Sequence, residues 1–508
     1  MTRKRNLEVP LNRVEGDLRI SVEMDDMRIS DAWSSGLMYR GFERMMIGRG
    51  ALDGLVITPR ICGICSTGHL NAAVLALEMI AGVKPPPDAL RIRNLTLLTE
   101  KLQSDMRQAF LMFAVDFANP LYRDLPLYEE AVRRYRALHG ETSLEVIRET
   151  EKLIGIIGIL GGQWPHSAFM VPGGVTSVPS GSDLLHCRLL LNEFRYWYER
   201  RILGCSIERW LEVRSATDLD EWLEERSEHR ESDLGFYIRF ARAVGLDRMG
   251  RGHGAFVCSG GCDLPEGTSV KSPTGSRNLI PAGFSQGTRV AEFDQKSISE
   301  HVAHSWFIDY PGGRHPFEGE TRPYASGREA GKYSWAKAPR YNDAPAETGP
   351  LAETVVSRNP LFTDLVDKDG PNVFVRELAR LTRPARFIPA MEVWVSEITA
   401  DGNFYGSPGE IIEGRGYGLT DVTRGALGHW VEIRKGEIEQ YQVITPTAWN
   451  ASPRDFHNIR GPMEEALLGT TVRDPSNPVE LGHVVRSFDP CLVCTVHAVN
   501  ASSVREIG

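Results

Sequence analysis

Two Cys-x-x-Cys pairs stand near opposite ends of this 508-residue chain, in Arg60-Ile-Cys62-Gly-Ile-Cys65-Ser-Thr-Gly-His69 and Asp489-Pro-Cys491-Leu-Val-Cys494-Thr-Val-His497. A Cys-x-x-Cys at the start of a helix points both sulfurs the same way, and the positive helix end favours the thiolate. Asp489 as an N-cap and Pro490 at the first helical position suit that geometry. Four thiolates together suit a soft metal or a cluster. A structural zinc site of four cysteines is the plain alternative. Structural zinc usually staples a small local unit, however, whereas a site built from both pairs closes almost the whole polypeptide on itself. A redox dithiol would need one pair only. The other cysteines, Cys187, Cys205, Cys258 and Cys262, are scattered, and eight in all are too few for a disulfide framework. Cys258 and Cys262, four apart in a glycine-rich stretch, read as free buried thiols.

The rest of the chain is that of a typical globular protein. The hydrophobic fraction is 42%, the charged fraction 25% and the net charge −9, which excludes disorder, collagen and a coiled coil as the whole architecture. A mildly acidic chain without a basic block is a poor candidate for nucleic-acid binding. The longest apolar run, Leu153 to Gly162, is half of a membrane span. The N-terminal residues MTRKRNLEVPLNR carry no apolar signal core. These features predict a cytoplasmic protein, membrane-associated only through partners; export alongside a signal-bearing partner is the alternative.

Hydrophobic spacing predicts an N-terminal hairpin. Leu18, Ile20, Val22 and Met24 alternate, Asp25-Asp26 turn, and a second strand covers Ile29 to Trp33. A helix carries Leu70, Ala73, Val74, Leu77 and Ile80. A longer one, N-capped by Asp88, runs to about Phe117. Further helices fall near 144–160 and 184–214, the latter apolar almost all round (LLHCRLLLNEF) and read as a buried bundle helix. Residues 251–350 are an irregular Gly/Pro-rich excursion with short strands, in which Trp306, Phe307, Tyr333 and Trp335 need burial. Helical pattern returns at 371–383, a hairpin turns at Lys435-Gly436, and a last helix follows Gly461-Pro462. Length alone would suggest roughly three domains. With no repeat and no boundary visible, the chain reads as one domain. The fold class is α+β, mainly α: a buried long-helix bundle with peripheral antiparallel hairpins.

At this point the motifs are specific enough to name a resemblance. R-x-C-G-x-C-x-x-x-H with D-P-C-x-x-C-x-x-H resembles the signature of the large, catalytic subunit of nickel–iron hydrogenases. Arg13-Val-Glu-Gly16, Tyr39-Arg-Gly-Phe-Glu43, Thr423-Arg-Gly-Ala-Leu-Gly-His429 and Pro446-Thr-Ala-Trp-Asn450 agree with it. RVEGD in place of RVEGH, with the modest length, looks more like the cytosolic uptake and sensing branch than the periplasmic one. The resemblance implies nickel on Cys62, Cys65, Cys491 and Cys494. Cys65 and Cys494 would bridge to an iron that carries CO and two cyanides. It implies heterolytic splitting of H2, with Glu15 as the proton-transfer carboxylate and a nickel-only thiolate such as Cys491 as the competing first base. A single Glu beside Gly would otherwise read as a solvated turn residue. Arg424, Asp105 and Asp489 match residues that roof the metals, a guanidinium held by carboxylates. Asp105 also lies on a helix face where a lone carboxylate is costly. Thr423, before the roof arginine, departs from many relatives. Thr447 matches a residue that hydrogen-bonds a cyanide, and His69 one that orients a cysteine. Glu43, the Val443 carbonyl and His497 match a magnesium site.

No Cys-x-x-Cys is left over for iron–sulfur clusters, so an iron–sulfur small subunit is implied as electron partner. A hydrogen sensor of low turnover is the alternative function. The quinone-pocket subunit of respiratory complex I, a fold relative without the cysteines, is excluded by their presence. The resemblance implies a single domain over 1–497 and a C-terminal extension at 498–508, removed after His497 by a maturation endopeptidase as in catalytic members. Ile64 and Phe113 match the narrow point of the family's gas channel, where oxygen-sensitive relatives carry Val and Leu. The larger pair implies tolerance to oxygen, although a plain apolar core would use both residues too.

Overall fold

The computed structural model describes residues 4–327 and 331–495. It opens with an antiparallel sheet of β1 (Lys4–Pro10), β2 (Leu18–Asp25) and β3 (Arg28–Gly36). The predicted alternation holds along β2, where Leu18, Ile20, Val22 and Met24 are buried and their neighbours are half-exposed. Asp26 and Met27 make the turn at φ 45° and 71°.

The first Cys-x-x-Cys leads into α1 (Ser66–Ala81). Pro85-Pro86 breaks the chain before α2 (Pro87–Arg107). Asp88 is not its N-cap: it lies in the first turn and accepts from Arg91 at 2.8 Å. Nor does the α-helix reach Phe117. It widens to a π-turn over Gln108–Phe113 and tightens to a 3-10 turn over Ala114–Ala118. Two more long helices follow, α3 (Glu141–Gly161) and α4 (Gly181–Trp197). The second corrects an expectation. Leu184, Cys187, Leu191 and Phe194 form its buried stripe, but Leu185 and Leu189 are 55% and 52% exposed, so α4 lies on the surface.

The glycine-rich excursion contains the paired strands β4 (Ala255–Asp263) and β5 (Asn278–Gln286). Within it Phe307 is buried and Trp306, Tyr333 and Trp335 are half-buried. Beyond it lie α5 (Pro350–Val356) and α6 (Val373–Glu397). The helix α6 is twice the expected length and continues through Pro384 and Pro389. Each proline removes a backbone donor, and dense burial of the surrounding turns holds the helix together despite that loss. A three-stranded meander follows, β6 (Gly414–Val422), β7 (Gly425–Arg434) and β8 (Glu437–Ile444). Lys435 and Gly436, at φ 55° and 79°, form the predicted turn between β7 and β8. The chain then passes through α7 (Pro446–Asn450), a short helix at Pro462–Leu467, α8 (Val479–Ser487) and α9 (Leu492–Thr495). One contiguous buried apolar cluster runs from Leu18 to Leu492. This is the mixed, helix-rich class expected. No helix among the described residues is long and apolar enough to cross a membrane.

Two contacts bring the chain ends together. Glu15 pairs with Cys491 in a parallel bridge: Glu15 N donates to Pro490 O at 3.3 Å and Leu492 N to Glu15 O at 2.6 Å. Gly16, at φ 81°, leaves room for this, since a Cβ there would stand 3.0 Å from Val493 N.

Candidate metal centre

The sulfurs of Cys62, Cys65 and Cys491 form a buried cluster of their own, with Ile64 and Val493 against it. Cys62 Sγ lies 3.6 Å from Cys491 Sγ, and Ile64 N donates to Cys62 Sγ at 3.3 Å. Cys65 stands at the N-cap of α1, as the motif geometry requires. Behind it Glu100 of α2 accepts from Thr67 N at 3.0 Å, Gly68 N at 3.2 Å and Trp164 Nε1 at 3.1 Å. Burial pushes the Glu100 carboxyl up to about 7, against those hydrogen bonds. At the second pair the helix starts later than expected. Asp489 sits at φ 50° and is no N-cap, and α9 begins at Leu492. Thr447 Oγ1 accepts from Cys491 N at 2.9 Å, which leaves its hydroxyl proton to donate elsewhere. The side chain of Cys494 lies outside the described residues. Among the described residues no group of three His, Cys, Asp or Glu side chains is arranged to hold a metal by itself.

Arg424 occupies the tip between β6 and β7. Its Nε donates to Asp489 O at 3.0 Å and lies 3.1 Å from Asp489 Oδ2. Burial disfavours its charge, but Asp489 and then Cys491, Cys62 and Cys65 favour it and hold its pKa well above the ordinary value. The guanidinium is thus held against the Asp489 carboxylate and within electrostatic reach of the three sulfurs. Asp105 does not hold Arg424. It accepts from a different arginine, Arg383 of α6, through Nε at 2.7 Å and Nη2 at 2.6 Å. Thr423, the departure before the roof arginine, is bound by its carbonyl, which accepts from Arg383 Nη2 at 2.6 Å.

Glu15 is half-buried beside the sulfurs. Its carboxyl is pushed above the usual range by burial first, then by Cys62 and Asp489, with Arg424 opposing. His69 Nδ1 is 3.1 Å from His429 Nε2, and His429 Nδ1 is 2.8 Å from Tyr441 OH. Burial lowers the His69 pKa to about 4, so the ring is neutral. Its Nε2 is buried with no partner among the described residues.

Glu43 Oε1 accepts from Val443 N at 2.9 Å, and Glu43 Oε2 accepts from Thr321. Lys337 Nζ lies 3.4 Å from both Glu43 and Glu300 and 2.8 Å from Gln442 Oε1. A cavity of about 20 Å³ is enclosed by Glu43, Glu300, Lys337, Val443 and four apolar or aromatic neighbours, room for a single water or ion. Burial pushes the Glu300 carboxyl up to about 7, with the Lys337 ammonium opposing and Glu43 adding to the rise. His497 lies outside the described residues. Phe113 is buried in the π-turn with ring centroids 5.8 Å from Phe117 and 5.3 Å from His483. Cys258 Sγ donates to Asp421 Oδ2 at 3.2 Å, and both Cys258 and Cys262 are free and buried.

Sequence reasoning missed Glu100, Lys337, Glu300, Arg380 and Arg383. The last two had a visible signal: Arg376, Glu377, Arg380 and Arg383 recur at helical spacing in an otherwise apolar segment. Buried charges are retained only where each finds a partner.

The sulfur-rich geometry agrees with comparisons to known proteins. The family described as nickel-dependent hydrogenase matches residues 40–123 and 233–497, well over half of the chain, and the chain belongs to that family. Its resemblance is to the large, catalytic subunits. It is 32% identical to the periplasmic [NiFeSe] hydrogenase large subunit of Desulfomicrobium baculatum, over 98% of this chain and 95% of that one. It is 29% identical to the uptake hydrogenase large subunit of Rhodobacter capsulatus, over 98% and 96%. It superposes with a TM-score of 0.82 and 30% identity on a reduced, active form of the Ni-Fe-Se hydrogenase from Desulfomicrobium baculatum, covering 97% of this chain and 100% of that one. The enzyme class is thus nickel–iron hydrogenase, here with cysteine at all four candidate ligand positions.

Proposed function

We propose that this chain oxidises H2 to two protons and two electrons, in the uptake direction, and passes the electrons to an iron–sulfur small subunit. The observation that carries the reading is the single buried site formed by Cys62, Cys65 and Cys491 under Arg424, with Glu15 alongside. By its place in the second motif, Cys494 would complete the ligand set. The donor chemistry fits: soft thiolates for nickel and for an iron bearing CO and cyanide, and an orphaned His69 Nε2 ready to donate to a thiolate. When bound, the nickel–iron centre supplies the redox-active site for H2. The protein supplies the rest. Glu15, its carboxyl raised above the usual range by burial and by Cys62, takes the proton and passes it outward. Arg424, fixed by Asp489, keeps a positive charge over the open face. Asp105 supports that face from behind through Arg383. Thr447 anchors Cys491.

Glu43, the Val443 carbonyl and His497 would hold magnesium at this small pocket, with Glu300 and Gln442 behind. The family match ends at residue 497, which supports maturation by an endopeptidase cutting after His497. We place the working protein in the cytoplasm. Ile64, packed on the sulfur cluster, supports a narrowed gas route and tolerance to oxygen. The test is infrared spectroscopy of the purified complex with nickel quantified in the same sample. Bands of metal-bound CO and cyanide are expected, and Cys65→Ser or Cys491→Ser should abolish both activity and nickel binding, because a hydroxyl is a poor soft ligand. Full activity in either variant would sink the ligand assignment.

A further inference from the structure

The helix α6 grips both chain segments that meet above the sulfurs. Arg383, fully buried, donates to Asp105 at 2.7 and 2.6 Å, to Glu353 Oε1 at 2.9 Å and to the carbonyl of Thr423 at 2.6 Å. Thr423 is the residue before Arg424. One turn earlier, Arg380 donates to Glu377 Oε1 at 2.8 Å and to the carbonyl of Ser487 at 3.1 Å. Ser487 ends α8, two residues before Asp489. Gln108 reinforces that second grip: its Nε2 bonds Glu377 Oε1 at 3.0 Å and Arg486 O at 2.7 Å. The tip that carries Arg424 is also closed from the other side. Ala426 N donates to Thr348 Oγ1 at 2.8 Å. Gly425 sits at φ 120°, where a Cβ would come within 2.3 Å of that hydroxyl oxygen.

We propose that Arg380 and Arg383 are positioning residues for hydrogen turnover: they set the separation and height of the Arg424–Asp489 pair through the carbonyls of Thr423 and Ser487. A simple buried ion pair would need no main-chain carbonyl. Here Arg380 gives Nη1 to a carboxylate and Nη2 to the Ser487 carbonyl, while Arg383 shares Nη2 between Asp105 and the Thr423 carbonyl, each carbonyl one or two residues from a roof side chain. The carboxylates Asp105, Glu353 and Glu377 then serve to hold the two forks in plane. This assigns Asp105 an indirect part, one step behind the site. Only a planar guanidinium bridges these partners at once, and an ammonium keeps the charge but loses the bridge.

The inference rests on the functional reading above, and Arg383→Lys and Arg380→Lys test it in the metal-loaded complex. Arg340→Lys is the control, because Arg340 is equally buried and paired with Asp455 at 2.7 Å, with no contact to the roof. The expected result is nickel content near the parent's, turnover per nickel lowered roughly tenfold or more, KM for H2 within about twofold, and a displaced CO stretching band. The control should leave turnover and band unchanged. Parent-like turnover and bands in both variants would overturn the proposal. So would loss of nickel in both while Arg340→Lys retains it, since the arginines would then be folding supports only. A parent complex without CO or cyanide bands would sink the functional reading instead, and turnover per nickel would still decide the role of the arginines.

Discussion

Glu15 shows how much one position can carry. Its backbone is fixed to Cys491 by the parallel bridge, and its carboxyl is lifted by burial and by Cys62. A carboxyl joined to the sulfur cluster in this way stands where a proton relay needs one. Glu15→Gln keeps the shape and the backbone bonds but cannot ionise. Metal content should stay within about 20% of the parent, while hydrogen–deuterium exchange slows by roughly a hundredfold or more. Exchange at the parent rate would put the proton route elsewhere. Glu15, Arg424 and the cysteines were legible because each sits in a specific motif. Asp105 was legible only as a buried carboxylate in need of a partner. Which partner it takes, Arg383 instead of Arg424, depends on how α2, α6 and the β6–β7 tip pack, and no local spacing encodes that.

Among the elements, α1 and the meander decide where the first cysteine pair lies. The helix packs flat on β6 because Gly416 and Gly418 present no side chain to it. A Cβ on Gly418 would come within 1.8 Å of Ala72 O, and one on Gly416 within 2.1 Å of Ala76 O. Ala72 and Ala76 are small as well, so backbone meets backbone. Gly418→Ala should therefore lower stability by roughly 3 kcal/mol or more and reduce nickel uptake, because α1 carries Cys65 at its start. An unchanged denaturation midpoint would mean that helix and strand can separate without loss. The hairpins and α1 were readable from alternation and helical spacing. The surface position of α4 was not. Its leucines satisfy an all-round apolar pattern, yet whether Leu185 and Leu189 are covered depends on which elements lie beside them.

For the whole molecule, gas access is the property that no single element owns. Ile64 touches the sulfur cluster and Phe113 lies in the π-turn against Phe117 and His483. Close-packed interiors respond to changes of a methylene or a ring. The double variant Ile64→Val/Phe113→Leu should lose activity in air several-fold faster, by roughly threefold or more, with similar anaerobic turnover. Equal rates of loss in air would remove any protective role. By itself the sequence carried the motifs whose resemblance named the enzyme class, the three cysteines that meet, the glutamate beside them and most strands and helices, because each is written in residue types at short, fixed spacing. The tertiary structure alone decided which buried charges meet: Asp105 with Arg383, Lys337 between Glu43 and Glu300, Glu100 behind Cys65. The reason is physical. A buried charge must find a partner, but spacing along the chain does not say which of several distant candidates the packing of helices will bring into contact.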